Sequence, residues 1–237
     1  MLKEALQYIV GLKEPWVDNL NGDIYSDKPL NRIDMYIPKA DCVTVHTLTS
    51  LLEYITGEID EMEEKMIVAV ESPTCVRLYS QLDDNRDREY MMKAEALLPD
   101  FRFGQFMDHE SFCIALQSKF QTNEDRELLL KFAGTVESGT VAQYGDDGVT
   151  QKATIKTGLA SKGEAIVPNP VKLIPYRTFL EVEQPESAFI FRMREGHGVE
   201  CAIFEADGGA WKMDAMDNIK RFLQDNLEDY PQFTVIA

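Results

Sequence analysis

His46, His109 and His197 are the side chains best suited to move protons near neutral pH, and they are scattered along the chain. No two lie within one helical turn, so neither an HExxH motif nor a local imidazole pair for a metal is present. A Ser-His-Asp triad assembles in space and leaves no spacing rule, but the GxSxG elbow that often presents its serine is missing. So are the GxGxxG and Walker A loops that cradle phosphates. The four cysteines, at 42, 75, 113 and 201, form no CxxC and no zinc spacing. Cys113, inside Phe112-Cys113-Ile114-Ala115-Leu116, reads as a small buried hydrophobe. Between Glu58 and Glu64 five of seven residues are acidic. Their spacing is not that of an EF-hand loop and no glycine sits at its turn, so the run reads as a solvated helix end. The expectation is no catalytic residue, no cofactor and no metal.

One segment has the makings of a small-ligand site. In Glu205-Ala206-Asp207-Gly208-Gly209-Ala210-Trp211 a strand runs into a glycine pair and then a helix. Free N–H groups at a helix N-terminus attract anions, which makes Gly208 and Gly209 candidate ligand-binding residues. Arg177, Arg192 and Arg194 are the candidate anion partners, and the strand period of two puts Arg192 and Arg194 on one face. The competing reading is a tight structural corner. There Asp207 accepts the N–H bonds, the glycines supply unusual φ values, Ile203 and Phe204 are buried, and Trp211 packs under the last helix.

The elements that must hold these residues follow from periodicity. Leu2, Leu6, Ile9 and Val10 share a face of a first helix that runs to Leu12. Asn21-Gly22 marks a turn between short strands. Val45, Leu48, Leu52, Ile55 and Ile59 recur at helical spacing. Strands are expected at Met66–Val70, Val76–Gln81 and Glu89–Leu97. Asp108 is a candidate N-cap for a helix through Phe112, Ala115, Leu116 and Phe120. Thr122 with Asp125 resembles a capping box that opens a helix stopped by Gly134. Hairpins are expected around Gly145–Gly148 and Glu195–Gly198. A helix from Trp211 to Leu227 and a strand at Phe233–Ile236 close the chain.

This order predicts an α+β fold: mainly antiparallel sheets, several amphipathic helices, and a final helix followed by a short C-terminal strand. The one compositional break divides residues 1–134, a mixed α/β N-terminal part, from 135–237, a strand-rich C-terminal part with a closing helix. The two are equally readable as one domain.

The chain has 237 residues, 24 basic and 41 acidic, for a formal charge of −17. The acids are spread out and no basic block exists, so direct nucleic-acid binding is disfavoured. No apolar run is long enough for a membrane span. The start, Met1-Leu2-Lys3-Glu4, lacks the basic-then-apolar order of a leader, and with the free thiols this predicts a cytoplasmic protein.

A longer series of motifs carries a resemblance. It runs Asp146-Asp147-Gly148-Val149-Thr150-Gln151, Val167-Pro168-Asn169-Pro170-Val171, and Pro175-Tyr176-Arg177-Thr178-Phe179. It continues through Glu183-Gln184-Pro185, Phe189-Ile190-Phe191-Arg192 and Phe204-Glu205-Ala206-Asp207-Gly208-Gly209-Ala210-Trp211. In this order the series resembles the YfdQ-like family of phage and prophage proteins over residues 145–237, with a weaker match at Tyr25–Leu30. The resemblance implies a phage-encoded protein inside the host bacterial cell, and it brings no catalytic residues. The leading expectation is therefore a non-enzymatic phage accessory protein that self-associates into a homo-oligomer, such as a ring or shell. The alternative is an anti-defence protein that binds a nucleotide signal or, less in keeping with the absence of a base or metal motif, cleaves it. A third possibility is an acidic decoy whose partner is a basic host protein.

Overall fold

The computed structural model describes residues 2–11, 17–20, 23–26, 39–60, 62, 65–83, 86–142, 152–156, 162–166 and 169–237. The chain divides into two compact units, Met1–Lys39 and Ala40–Ala237.

The first unit holds helix α1 (Leu2–Gly11) and an antiparallel pair, β1 (Val17–Leu20) and β2 (Asp23–Ser26). The pairing sets Leu20 opposite Asp23, as a two-residue connection requires. The Asn21-Gly22 turn itself lies outside the described residues. The expected stripe of α1 forms but is not covered: Leu2, Leu6, Ile9 and Val10 are all exposed.

The second unit has two cores. One lies under a five-stranded sheet ordered β14-β4-β5-β6-β3. Its strands are β3 (Val43–Val45), β4 (Met66–Ser72), β5 (Cys75–Ser80), β6 (Tyr90–Glu95) and β14 (Phe233–Ile236). β4, β5 and β6 form an antiparallel meander, and alternation sends Met66, Val68, Val76 and Leu78 into the core. Helices α2 (Leu48–Thr56) and α5 (Trp211–Asn226) bury Leu48, Leu51, Ile55, Ile219 and Leu223 against these side chains. At about 25 cal/mol per Å² of apolar surface, this burial is the main stabilising term.

The other core joins a four-stranded sheet to two helices. The sheet order is β11 (Val171–Leu173), β12 (Ser187–Glu195), β13 (Val199–Glu205), β7 (Met107–Asp108). Helices α3 (His109–Lys119) and α4 (Glu124–Ala133) contribute Phe112, Leu116 and Leu129. Phe112 stacks on Phe191 at 5.5 Å between centroids. A separate antiparallel sheet contains β8 (Val136–Ala142), β9 (Lys152–Lys156) and β10 (Lys162–Ile166). The 145–148 turn of the expected hairpin lies outside the described residues.

The fold is α+β, with the expected strand after the last helix. Several local expectations change. β14 runs parallel to β4, and β3 parallel to β6, so both outer strands of the large sheet are parallel to their neighbours. Val45 belongs to β3, not to a helix, because Thr47 caps α2 by accepting the Ser50 N–H. Ile59 lies past the helix end at Gly57, and Leu51 is more deeply buried than Leu52. Asn123, not Thr122, caps α4 by accepting from the Arg126 N–H, while the Asp125 carboxylate accepts from the Lys172 N–H at 2.6 Å. Asp108 caps α3 as expected. Strand pairing crosses Gly134 in both sheets: β14 joins β4, and β13 joins β7.

Candidate functional site

The segment from Pro175 to Gln184 is an irregular loop held from within. The buried Gln184 amide oxygen accepts the N–H groups of Arg177 and Thr178 at 3.0 and 3.2 Å, and its nitrogen donates to Phe179 O at 2.8 Å. A loop this buried needs such a side chain, because its backbone polar groups have no ladder to join. The Thr178 hydroxyl donates to Pro73 O at 2.6 Å, which ties the loop to the β4–β5 turn.

This frame aims the Arg177 side chain at the corner where β12 begins, β13 ends and α5 starts. Arg177 is 6% exposed. Its Nη1 donates to Glu205 Oε1 at 3.0 Å, and its Nη2 donates to the Ser187 hydroxyl. Ser187 donates onward to Asp207 Oδ2 at 2.7 Å, and Asp207 Oδ1 accepts the Gly209 N–H at 3.0 Å. Gly208 and Gly209 turn the chain with φ of +65° and +84°. Trp211 follows, and its ring faces the Arg177 guanidinium at 3.9 Å.

Most polar groups of this corner pair within it, while Arg177 Nε and Trp211 Nε1 are buried without a hydrogen-bond partner. Burial pulls the Arg177 guanidinium down to about 10, with Glu205 and Asp207 opposing that shift, so it stays charged at neutral pH. Burial acts to raise the Asp207 carboxyl, but the Ser187 hydroxyl and the Gly209 N–H outweigh it and hold the group below its usual range. An incoming anion would meet Glu205 and Asp207, and the main donors of Arg177 already serve protein acceptors. The corner is built to hold β12, β13 and α5 together.

The structure thus unites Arg177, Gly208 and Gly209 among the sequence candidates. It does not bring Arg192 and Arg194 to them. Those two share one face of β12, as the period of two predicts, but Ser187, Phe189 and Phe191 occupy the other face. Arg194 Nε donates to Glu200 Oε2 at 2.6 Å and its guanidinium lies over Phe106, while Arg192 donates to Phe191 O. Sequence reasoning missed Ser187 and Gln184. The signal for Ser187 was available: it is a polar residue in phase with the buried Phe189 and Phe191.

Elsewhere the histidines stay apart from one another's chemistry. His46 Nδ1 meets Glu95 O at 2.9 Å, and His109 opens α3. Among the described residues, no group of three or more His, Cys, Asp or Glu side chains could hold a metal ion. A groove of about 410 Å³ opens between the end of α2 and the start of β14, lined by Ile55, Glu58, Asp60, Met62, Tyr230, Gln232 and Phe233. The Tyr54 hydroxyl donates to Asp60 beside it at 2.6 Å, and burial together with that carboxylate pushes the phenol pKa up. Among the described residues, no helix is long and apolar enough to cross a membrane. No family model matches the chain, and no curated protein or solved structure matches it.

Proposed function

We propose that the protein is a non-enzymatic phage accessory protein that works as a homo-oligomer. The phage assignment rests on the ordered motifs of residues 145–237. The oligomer rests on one observation about the large sheet. Its two outer strands read Val43-Thr44-Val45 and Phe233-Thr234-Val235-Ile236, with no charged residue and no proline in either, although 27% of the chain is charged. Monomeric proteins usually guard such edges with lysine, proline or a bulge, because an edge presents unpaired N–H and C=O groups to any passing strand. Val43 and Ile236 are 45% and 49% exposed on these strands. A net charge of −17 opposes self-association, so a contact between copies has to avoid setting like charges face to face. Size-exclusion chromatography with light scattering tests the reading. A mass that is a multiple of 27.0 kDa at micromolar concentration supports it, and a mass of 27.0 kDa overturns it.

A further inference from the structure

We infer that β14 is itself a subunit contact, pairing antiparallel with β14 of a second copy about Val235; the inference rests on the self-associating reading above. The backbone sets this register. Met66 N–H donates to Gln232 O at 3.0 Å, so in the parallel ladder the even-numbered residues of β14 turn their backbone groups toward β4. The odd-numbered residues turn theirs outward. Phe233 N–H is satisfied by Tyr230 O at 3.0 Å. Among the described residues, this leaves Phe233 C=O, Val235 N–H and Val235 C=O along the outer edge of β14, with the Ala237 N–H next in phase just past the strand.

These groups are self-complementary. A two-fold axis through the Val235 pair lets each Val235 N–H donate to the partner's Val235 C=O, while each Ala237 N–H donates to the partner's Phe233 C=O. No donor is left facing a donor. A two-fold contact of this kind uses the same surface on both subunits and closes as a dimer. The same register sets Thr234 opposite Ile236 of the other copy as a non-hydrogen-bonded pair, where side chains approach most closely. Both side chains are exposed, and neither is charged. A second copy therefore fits this edge without placing like charges in contact.

The test is a charge swap in the full-length chain. Thr234→Lys with Ile236→Lys places lysines opposite lysines, and Thr234→Glu with Ile236→Glu does the same with acids. Both sites are exposed, so each variant should fold, as far-UV circular dichroism and melting will register. Each variant alone is expected to lose the β14 contact and run at half the parent mass or less, and mixing the two should restore the parent mass. Val235→Pro, which removes the central donor, should also dissociate the parent assembly, whereas Thr44→Lys on β3 should leave the β14 dimer intact. If the parent is oligomeric but the charge variants keep its mass, or mixing restores nothing, this contact is wrong while self-association stands. If Thr44→Lys alone breaks the parent into monomers, the interface is the β3 edge and the inference fails. If the parent is monomeric, the self-associating reading fails with it.

Discussion

The Arg177 guanidinium lies over the Trp211 ring, 3.9 Å from its centre, and this contact ties an irregular loop to the first residue of α5. Trp211 was expected under its own helix. Instead it is half-buried and faces the arginine, because a charge taken from water gains more from an aromatic face than an aliphatic surface would. Ala210 brings no side-chain cap to this helix, so the start of α5 depends on the contacts of Asp207, Gly209 and Trp211.

The first prediction is that Arg177 and Trp211 are coupled. Arg177→Ala should destabilise by about 3 kcal/mol, the low end for breaking a buried ion pair, because Glu205 keeps access to water. Trp211→Ala should cost about 2 kcal/mol, the scale of a desolvated cation–π contact. A double-mutant cycle by urea unfolding should return a coupling of about 1–2 kcal/mol. Strict additivity would remove the stacking from the account. Arg177→Lys should not rescue, since a single ammonium lacks the fork of donors that reaches Glu205 and Ser187 together while the group sits over the ring.

A second prediction concerns pH. The folded Asp207 carboxyl lies below its unfolded value of about 3.9. A carboxylate shifted this way contributes its stability in full above the unfolded pKa and loses it as pH falls through the folded one. Asp108 is lowered too, chiefly by the Ser111 N–H and hydroxyl, and acts with the same sign. The urea midpoint should therefore fall below about pH 4, and Asp207→Asn should lower the plateau near about pH 7 and flatten the acid limb by a similar amount, so that parent and variant converge at low pH. An unchanged acid limb in the variant would show that the Ser187–Asp207–Gly209 link carries no charge-dependent stability.

Local structure was the legible part of the sequence. The alternation of Phe189, Phe191 and Met193 against Ile190, Arg192 and Arg194 specifies a strand with one dry face, and Ile219, Leu223 and Leu227 specify the buried side of α5. Helix boundaries were less legible, because Val45 and Ile59 fit the helical period of α2 while Thr47 and Gly57 cut the helix between them. The parallel pairing of β14 with β4 could not be read, since strands far apart in sequence leave no turn signal between them. At the corner, Arg177 and the glycine pair stood out by residue type. Ser187 is legible only through its phase with Phe189 and Phe191, and Gln184 leaves no such signal, because it lies in an irregular loop and its partners are set by the tertiary fold. Phe204 is expected to be buried and is half-exposed, since the strand period of two turns it to the face opposite Ile203, which packs into the core.

Thiol reactivity gives a third prediction. Cys42 is exposed, Cys75 and Cys113 are half-buried, and Cys201 is buried. Burial, with smaller contributions from Cys113 and Asp108, pushes the Cys201 thiol up to about 12. Burial also raises Cys75 and Cys113. Because the thiolate is the nucleophile, a disulfide reagent at neutral pH should find one fast site, two slow ones and one that reacts only on unfolding. Cys42→Ser should abolish the fast phase. Persistence of that phase would mean that one of the packed thiols is more open than its surroundings indicate.

The last prediction separates backbone strain from side-chain crowding at Gly208. Its φ is +65°, and a Cβ built there would meet no atom within 4 Å. Any cost of substitution must therefore come from the backbone rather than from a clash. An L-residue in this left-handed region costs roughly 1–2 kcal/mol, asparagine less because its side chain bonds locally, and a β-branched residue more. The expected order of melting temperatures is parent, then Gly208→Asn, then Gly208→Ala, then Gly208→Val. Gly209, at +84°, should follow the same order, since the Lys212 side chain at 3.9 Å offers only ordinary contact. Equal melting temperatures for the asparagine and valine variants would mean that the corner does not hold this φ in solution. A loss in the valine variant alone, with alanine matching the parent, would point to crowding that the open surroundings of Gly208 contradict.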